Sequence, residues 1–99
     1  MGRIFVNHFD IALAAWCGMN PPLCVYSKCC GTALALEHDG SVYACDHYVY
    51  PANRVGEVNE GRLAETVFSR QQVRFGYAKS ETLPGACRAC EYLSDCWGE

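Results

Sequence analysis

The apolar run Ile4, Phe5 and Val6, β-branched and aromatic and flanked by polar Arg3 and Asn7, predicts a short strand over residues 3–9. Asp10 then stands where a helix N-cap belongs, its carboxylate able to accept the unpaired amide protons of a first turn. Ile11, Leu13, Ala14 and Ala15 suit that helix, and Gly18 predicts its end. Pro21-Pro22 bars continuation and opens an irregular segment through Cys24, Cys29 and Cys30. The sharpest local signal follows. Residues 32–38 and 41–47 flank Asp39-Gly40, which predicts a hairpin closed by a two-residue turn with both turn residues at positive φ. In that register Leu36 faces Tyr43 and Leu34 faces Cys45, placing the Cys45 sulfur on the leucine side and Asp46 on the opposite face. Cys30 shares the parity of Leu34 but lies about 13 Å from it along an extended strand, so a ligand shared with Cys45 requires a bend before Gly31.

After Tyr50-Pro51 the pattern loosens into a loop with a brief extended piece at 54–58. Leu63, Ala64, Val67 and Phe68 form a helical apolar stripe. Ser69 and Gln72 have the spacing of a capping box and start a second helix, carrying Val73 and Phe75 and ending at Gly76. Leu83-Pro84-Gly85 reads as loop before the closing run Cys87-Arg88-Ala89-Cys90 and Cys96. The fold class expected is α+β: a single small cysteine-rich metal-binding domain over 1–99, with a β-hairpin at about 32–47 and short helices.

Composition explains why a metal is expected. A chain of 99 residues builds only a small core, and its eight cysteines exceed ordinary usage. Eight basic against eleven acidic residues give a net charge of −3, which removes the electrostatic footprint of a nucleic-acid binder. Only 61–80 leans basic, with Arg62, Arg70, Arg74 and Lys79 against Glu65, and reads as a solvated helix face. No apolar run reaches the roughly 18 residues of a membrane span. The stretch 11–17 is too short, and too poor in preceding basic residues, for a secretory signal. A cytoplasmic, reducing compartment is therefore expected, where cysteine clusters bind metal or do redox chemistry more often than they form disulfides.

Cys87, Cys90 and Cys96 are spaced to converge on one metal, since Cys-x2-Cys puts two sulfurs on a tight turn and a third can fold back. Thiolate softness suits zinc and iron–sulfur clusters equally. Cys24, Cys30 and Cys45 are candidates for a second set, leaving Cys17 and Cys29 as small apolar residues. The even number keeps disulfides open as an alternative. His8, His38 and His47 lack zinc-finger spacing. Asp46 and His47 directly follow Cys45, and a carboxylate beside a metal site can act as a general base.

The run from Cys30-Gly31-Thr32 through Glu37-His38-Asp39-Gly40-Ser41-Val42-Tyr43-Ala44-Cys45-Asp46-His47 to Tyr50-Pro51 resembles the C-terminal SPASM domain of anaerobic sulfatase-maturating enzymes. The resemblance continues through Ser69-x2-Gln72-x2-Phe75-Gly76-x2-Lys79, Leu83-Pro84 and Cys87-x2-Cys90-x5-Cys96, covering nearly the whole chain. It implies a radical S-adenosylmethionine enzyme that oxidises a sulfatase cysteine or serine to formylglycine, with two auxiliary [4Fe-4S] clusters in this domain. Cys24, Cys30 and Cys45 would ligate the first cluster, Cys87, Cys90 and Cys96 the second, and Asp46 would take the substrate proton. The implied partners are the sulfatase polypeptide and the catalytic domain that binds S-adenosylmethionine. The family's fourth ligand to the first cluster would fall at position 100, one beyond Glu99, so the resemblance implies a domain truncated before its last ligands. It leaves zinc or empty sites as the expectation for the isolated stretch, and a zinc-stapled interaction module as the alternative function.

Overall fold

The computed structural model describes residues 4–98. The chain gathers into two compact units, one made of residues up to Cys29 together with those from Lys79 onward, the other of Cys30–Ala78.

In the first unit, helix α1 (Asn7–Trp16) begins directly after Val6, which is extended at φ −117° and carries no capping side chain. The strand expected over 3–9 is replaced by this helix from Asn7 on, while Arg3 lies outside the described residues. A strand needs a neighbour to take its backbone hydrogen bonds, and the sheet of the described residues draws none of its strands from this segment. Asp10 is not the N-cap but a first-turn residue, where its charge still complements the helix dipole. The C-terminus matches expectation. Gly18, at φ +73°, lets its own amide reach the Ala15 carbonyl and the Met19 amide reach that of Ala14, each at 2.9 Å. Ile11 supplies the buried apolar contact of α1, which packs on the short helix α5 (Leu93–Cys96). His8 meets Tyr26 edge to face, with ring centroids 6.2 Å apart.

The second unit holds a three-stranded antiparallel sheet of β1 (Ala35–Leu36), β2 (Ser41–Tyr43) and β3 (Arg54–Glu57), in that order. The hairpin forms at Asp39-Gly40, but its strands are shorter than 32–47 and its register is one residue away from that expected. Ala35 pairs with Tyr43 and Leu36 with Val42. Gly40 alone of the turn residues has positive φ, at +88°. The loop is therefore the three residues His38-Asp39-Gly40: Gly40 N–H donates to the Glu37 carbonyl at 3.0 Å, and Glu37 N–H to that of Ser41 at 2.9 Å. The Asp39 carboxylate accepts the Ser41 N–H at 2.9 Å, fixing a turn that needs only its glycine left-handed. The extended piece expected near 54–58 is β3, with a bulge at Val55, since Val42 pairs with Gly56 but Tyr43 with Arg54.

Helix α2 (Leu63–Val67) leads into α3 (Arg70–Glu81), and α4 (Gly85–Arg88) follows in the first unit. Ser69 caps α3 by accepting the Gln72 N–H at 3.2 Å. The reciprocal half of the expected capping box is absent, because the Gln72 side chain is buried and engaged elsewhere. Gly76 does not end the helix either. It sits buried within α3, where the absence of a side chain admits another backbone. The core of this unit is small, made of Val42, Ala44 and Cys45 with the polar Ser41 and Gln72.

The hydrogen bond from Ser41 holds the Asp39 carboxyl below its usual range. A lowered carboxylate contributes stability that is present above its unfolded value, ~4, and is lost as pH falls through the folded one. Urea denaturation across acidic pH should therefore show a shallower acid-side decline for Asp39→Asn, which keeps the acceptor but not the charge. An unchanged slope would remove Asp39 from the acid sensitivity.

Candidate metal centre

Cys45 leaves β2 in extended backbone at φ −162°, and the chain then curls into a 3-10 turn over Asp46–Tyr48. That curl brings back side chains that a continuing strand would have sent to opposite faces. The Cys45 thiol donates to Asp46 Oδ1 at 3.4 Å, His47 Nδ1 lies 3.7 Å from Cys45 Sγ, and the same nitrogen lies 3.2 Å from Asp46 Oδ1. Asp46 thus stands beside the sulfur, not across the sheet from it as the expected hairpin implied. Among the described residues, these three are the one group of metal-ligating side chains whose donor atoms all lie within 4.8 Å of one another.

The environment separates their charges. Burial pushes the Cys45 thiol up, opposed by the His47 backbone amide, and Asp46 and Cys30 add to the upward push. The donated thiol hydrogen bond and the nearby His47 hold the Asp46 carboxyl below its ordinary range, so an exposed carboxylate stands ionised beside a buried sulfur.

Cys30 is placed by α3. Its N–H donates to the Gly76 carbonyl at 3.0 Å, and a Cβ on Gly76 would lie only 2.5 Å from the Cys30 carbonyl oxygen. The chain bends at 27–29, before Gly31, and again at Thr32, where the Leu34 N–H folds onto the Thr32 carbonyl at 3.1 Å. Gln72 Nε2 donates both to the Gly31 carbonyl at 3.2 Å and to that of Ala44 at 3.0 Å. Each contact falls one residue from a candidate cysteine. The glycine inside a helical pattern was the available signal for this packing, since it marks close backbone approach as readily as a helix end.

The first unit holds the other candidates. Cys24 opens the 3-10 turn Cys24–Tyr26, whose Cys24 and Val25 carbonyls accept hydrogen bonds from Lys79 Nζ. Lys79 is therefore a structural donor, unlike Arg62, Arg70 and Arg74, which keep to the exposed surface expected of the basic segment. Cys87 and Cys90 lie on one tight turn, the Cys90 N–H meeting the Cys87 carbonyl at 3.1 Å, and Cys96 ends α5. Arg88 steadies that turn by donating to the Leu83 and Glu81 carbonyls at 2.8 and 2.9 Å. None of the eight cysteines is joined in a disulfide.

Residues 24–91 match the SPASM family, described as an iron–sulfur cluster-binding domain. The chain belongs to this family. It is 39% identical over 99 residues to the serine-type anaerobic sulfatase-maturating enzyme of Bacteroides thetaiotaomicron, covering all of this chain and 24% of that one. It is 28% identical over 93 residues to the cysteine-type enzyme of Clostridium novyi, covering 94% of this chain and 25% of the relative. A solved structure of native anSMEcpe with bound AdoMet and Kp18Cys peptide superposes with a TM-score of 0.81 at 26% identity, over 97% of this chain and 26% of that one. The chain thus spans about a quarter of the length of these relatives.

The cysteines of this SPASM domain suit an iron–sulfur group. They offer soft sulfur donors, unconsumed by disulfides. The expected convergence of Cys87, Cys90 and Cys96 on one ion is not seen, since the group with single-ion spacing among the described residues does not include them. Among the described residues no helix is long and apolar enough to cross a membrane.

Burial gives a test of the sulfur environments. In the metal-free chain, Cys45 should alkylate with iodoacetamide on the order of tenfold more slowly than exposed Cys24 or Cys90, read by peptide mass spectrometry. Equal rates would show that Cys45 is not shielded.

Proposed function

We propose that the chain is the auxiliary-cluster domain of a radical S-adenosylmethionine enzyme that oxidises a sulfatase cysteine or serine to formylglycine. The observation that carries this reading is the ionised, exposed Asp46 held against the buried Cys45 sulfur, in a chain whose whole length is similar to sulfatase-maturating enzymes.

In this reading Cys24, Cys30 and Cys45 ligate the first [4Fe-4S] cluster and Cys87, Cys90 and Cys96 the second. Such a cluster, when bound, supplies a one-electron acceptor or relay. Asp46 acts as the base. Its carboxylate takes the proton of the substrate thiol or hydroxyl, so that loss of a hydrogen atom from the adjacent carbon leads on to the aldehyde stage. Ligation of Cys45 as thiolate removes the thiol donor from Asp46, and His47, 3.2 Å away, remains to orient the carboxylate. Phe9, Leu13 and Trp16 along one side of α1 stay exposed, which suits a domain built to work against further protein, here the S-adenosylmethionine-binding domain of the same polypeptide. The working compartment in this reading is the cytoplasm, and the partner is the sulfatase polypeptide.

The zinc alternative draws on the Cys45–Asp46–His47 group, the one with single-ion spacing among the described residues. Anaerobic reconstitution of this domain within the longer polypeptide decides between them. About eight irons with matching sulfide assigned to the domain are expected, whereas one zinc without sulfide would support the stapled module. In the complete enzyme, Asp46→Ala should lower the oxidation rate by at least ~100-fold with iron content unchanged. Retained activity would remove Asp46 from the base role.

A further inference from the structure

Gln72 is a buried polar residue, 2% exposed, in a core shared with Ser41 and the apolar Val42, Ala44 and Cys45. Its two amide protons are both used, one on the Gly31 carbonyl and one on that of Ala44, and its Oε1 is buried without a partner among the described residues. Because both partners are carbonyls, the nitrogen must face them, so the amide's orientation is chemically dictated. The unpartnered oxygen is a cost that an apolar side chain of similar shape would avoid. What the amide provides instead is a cross-link between two backbone segments far apart in sequence. Gly31 follows Cys30, and Ala44 precedes Cys45. One helical turn further along α3, the Gly76 carbonyl holds the Cys30 N–H, at a contact too close for any side chain.

We propose that Gln72 is a positioning residue for cluster ligation, its amide fixing the separation of the Cys30 and Cys45 backbones before iron binds, with Gly76 setting the Cys30 side. The inference rests on the reading of Cys30 and Cys45 as ligands. The physical basis is that iron–sulfur bonds have fixed lengths, so thiolates on wandering segments must be ordered at the moment of binding, while thiolates on clamped segments are ordered by folding. A residue kept only for core packing needs no donor at this place. A positioning residue needs both of its protons.

Gln72→Met separates the two. It preserves length and bulk, removes both hydrogen bonds, and removes the unpartnered oxygen as well. In the reconstituted holoprotein, iron release to a chelator should accelerate on the order of tenfold for one cluster. The low-temperature electron paramagnetic resonance signal of that cluster should broaden or vanish while the other stays unchanged. The metal-free Gln72→Met protein should melt no lower than the parent. Gly76→Ala, which pushes on the Cys30 carbonyl alone, should reproduce the one-cluster effect. Parent-like iron release and spectra in both variants would overturn the proposal, as would loss of both clusters together with a lowered melting temperature, which would make Gln72 a packing residue. If the unsubstituted holoprotein holds neither iron nor sulfide, the ligand reading itself fails and takes the inference with it.

Discussion

One buried primary amide sets where two backbone segments of the Cys30–Ala78 unit lie. A sheet of strands two to four residues long has little area to bury, and its apolar core reduces to Val42, Ala44 and Cys45. Packing of that size leaves the exact placement of the irregular segments on either side of the hairpin to directional contacts. Gln72 supplies them by donating to carbonyls 41 and 28 positions away in the chain, inside the core where water does not compete. Gly76, on the same side of α3, brings the helix backbone against Cys30. The helix thus ties together two stretches of backbone, and both stretches carry candidate ligands.

The same economy governs the chemistry beside it. Cys45 is buried two residues past β2, the strand of the described sheet that is paired on both edges, and Asp46 is exposed where the chain turns into the 3-10 segment. A single change of backbone direction therefore yields a shielded sulfur and a solvated carboxylate as neighbours. Their ionisation preferences diverge for that reason, the thiol held protonated by burial and the carboxylate held ionised by the hydrogen bond it accepts. In a reading where the sulfur binds iron and the carboxylate takes a proton, this proximity couples the base to the cluster edge without any further residue.

In the other unit, helix ends and carbonyls do the comparable work. Lys79 reads as a solvated cation within a basic segment, yet it ties down the turn that begins at Cys24. Arg88 likewise spends its guanidinium on the backbone ahead of the Cys87–Cys90 turn. Charged side chains here serve as backbone staples, which small domains need when their cores are thin.

Much of this was legible from the residues. The α+β class, the hairpin at Asp39-Gly40, the Gly18 helix stop, the tight Cys87–Cys90 turn and the family all follow from signals that act over a few residues. The hairpin register did not, because Asp39-Gly40 serves a two-residue and a three-residue loop equally well. Which one forms depends on how β2 meets β3 and on the Ser41 hydrogen bond. The strand expected over 3–9 failed for want of a neighbour, which no local pattern can supply. Gln72 and Gly76 were visible only as a helix start and a helix stop, the roles those residue types play when nothing distant touches them. Sequence alone determined which cysteines and which carboxylate are available. Tertiary structure decided which of them become neighbours, because hydrogen bonds across 28 and 41 positions form only once a helix has somewhere to dock.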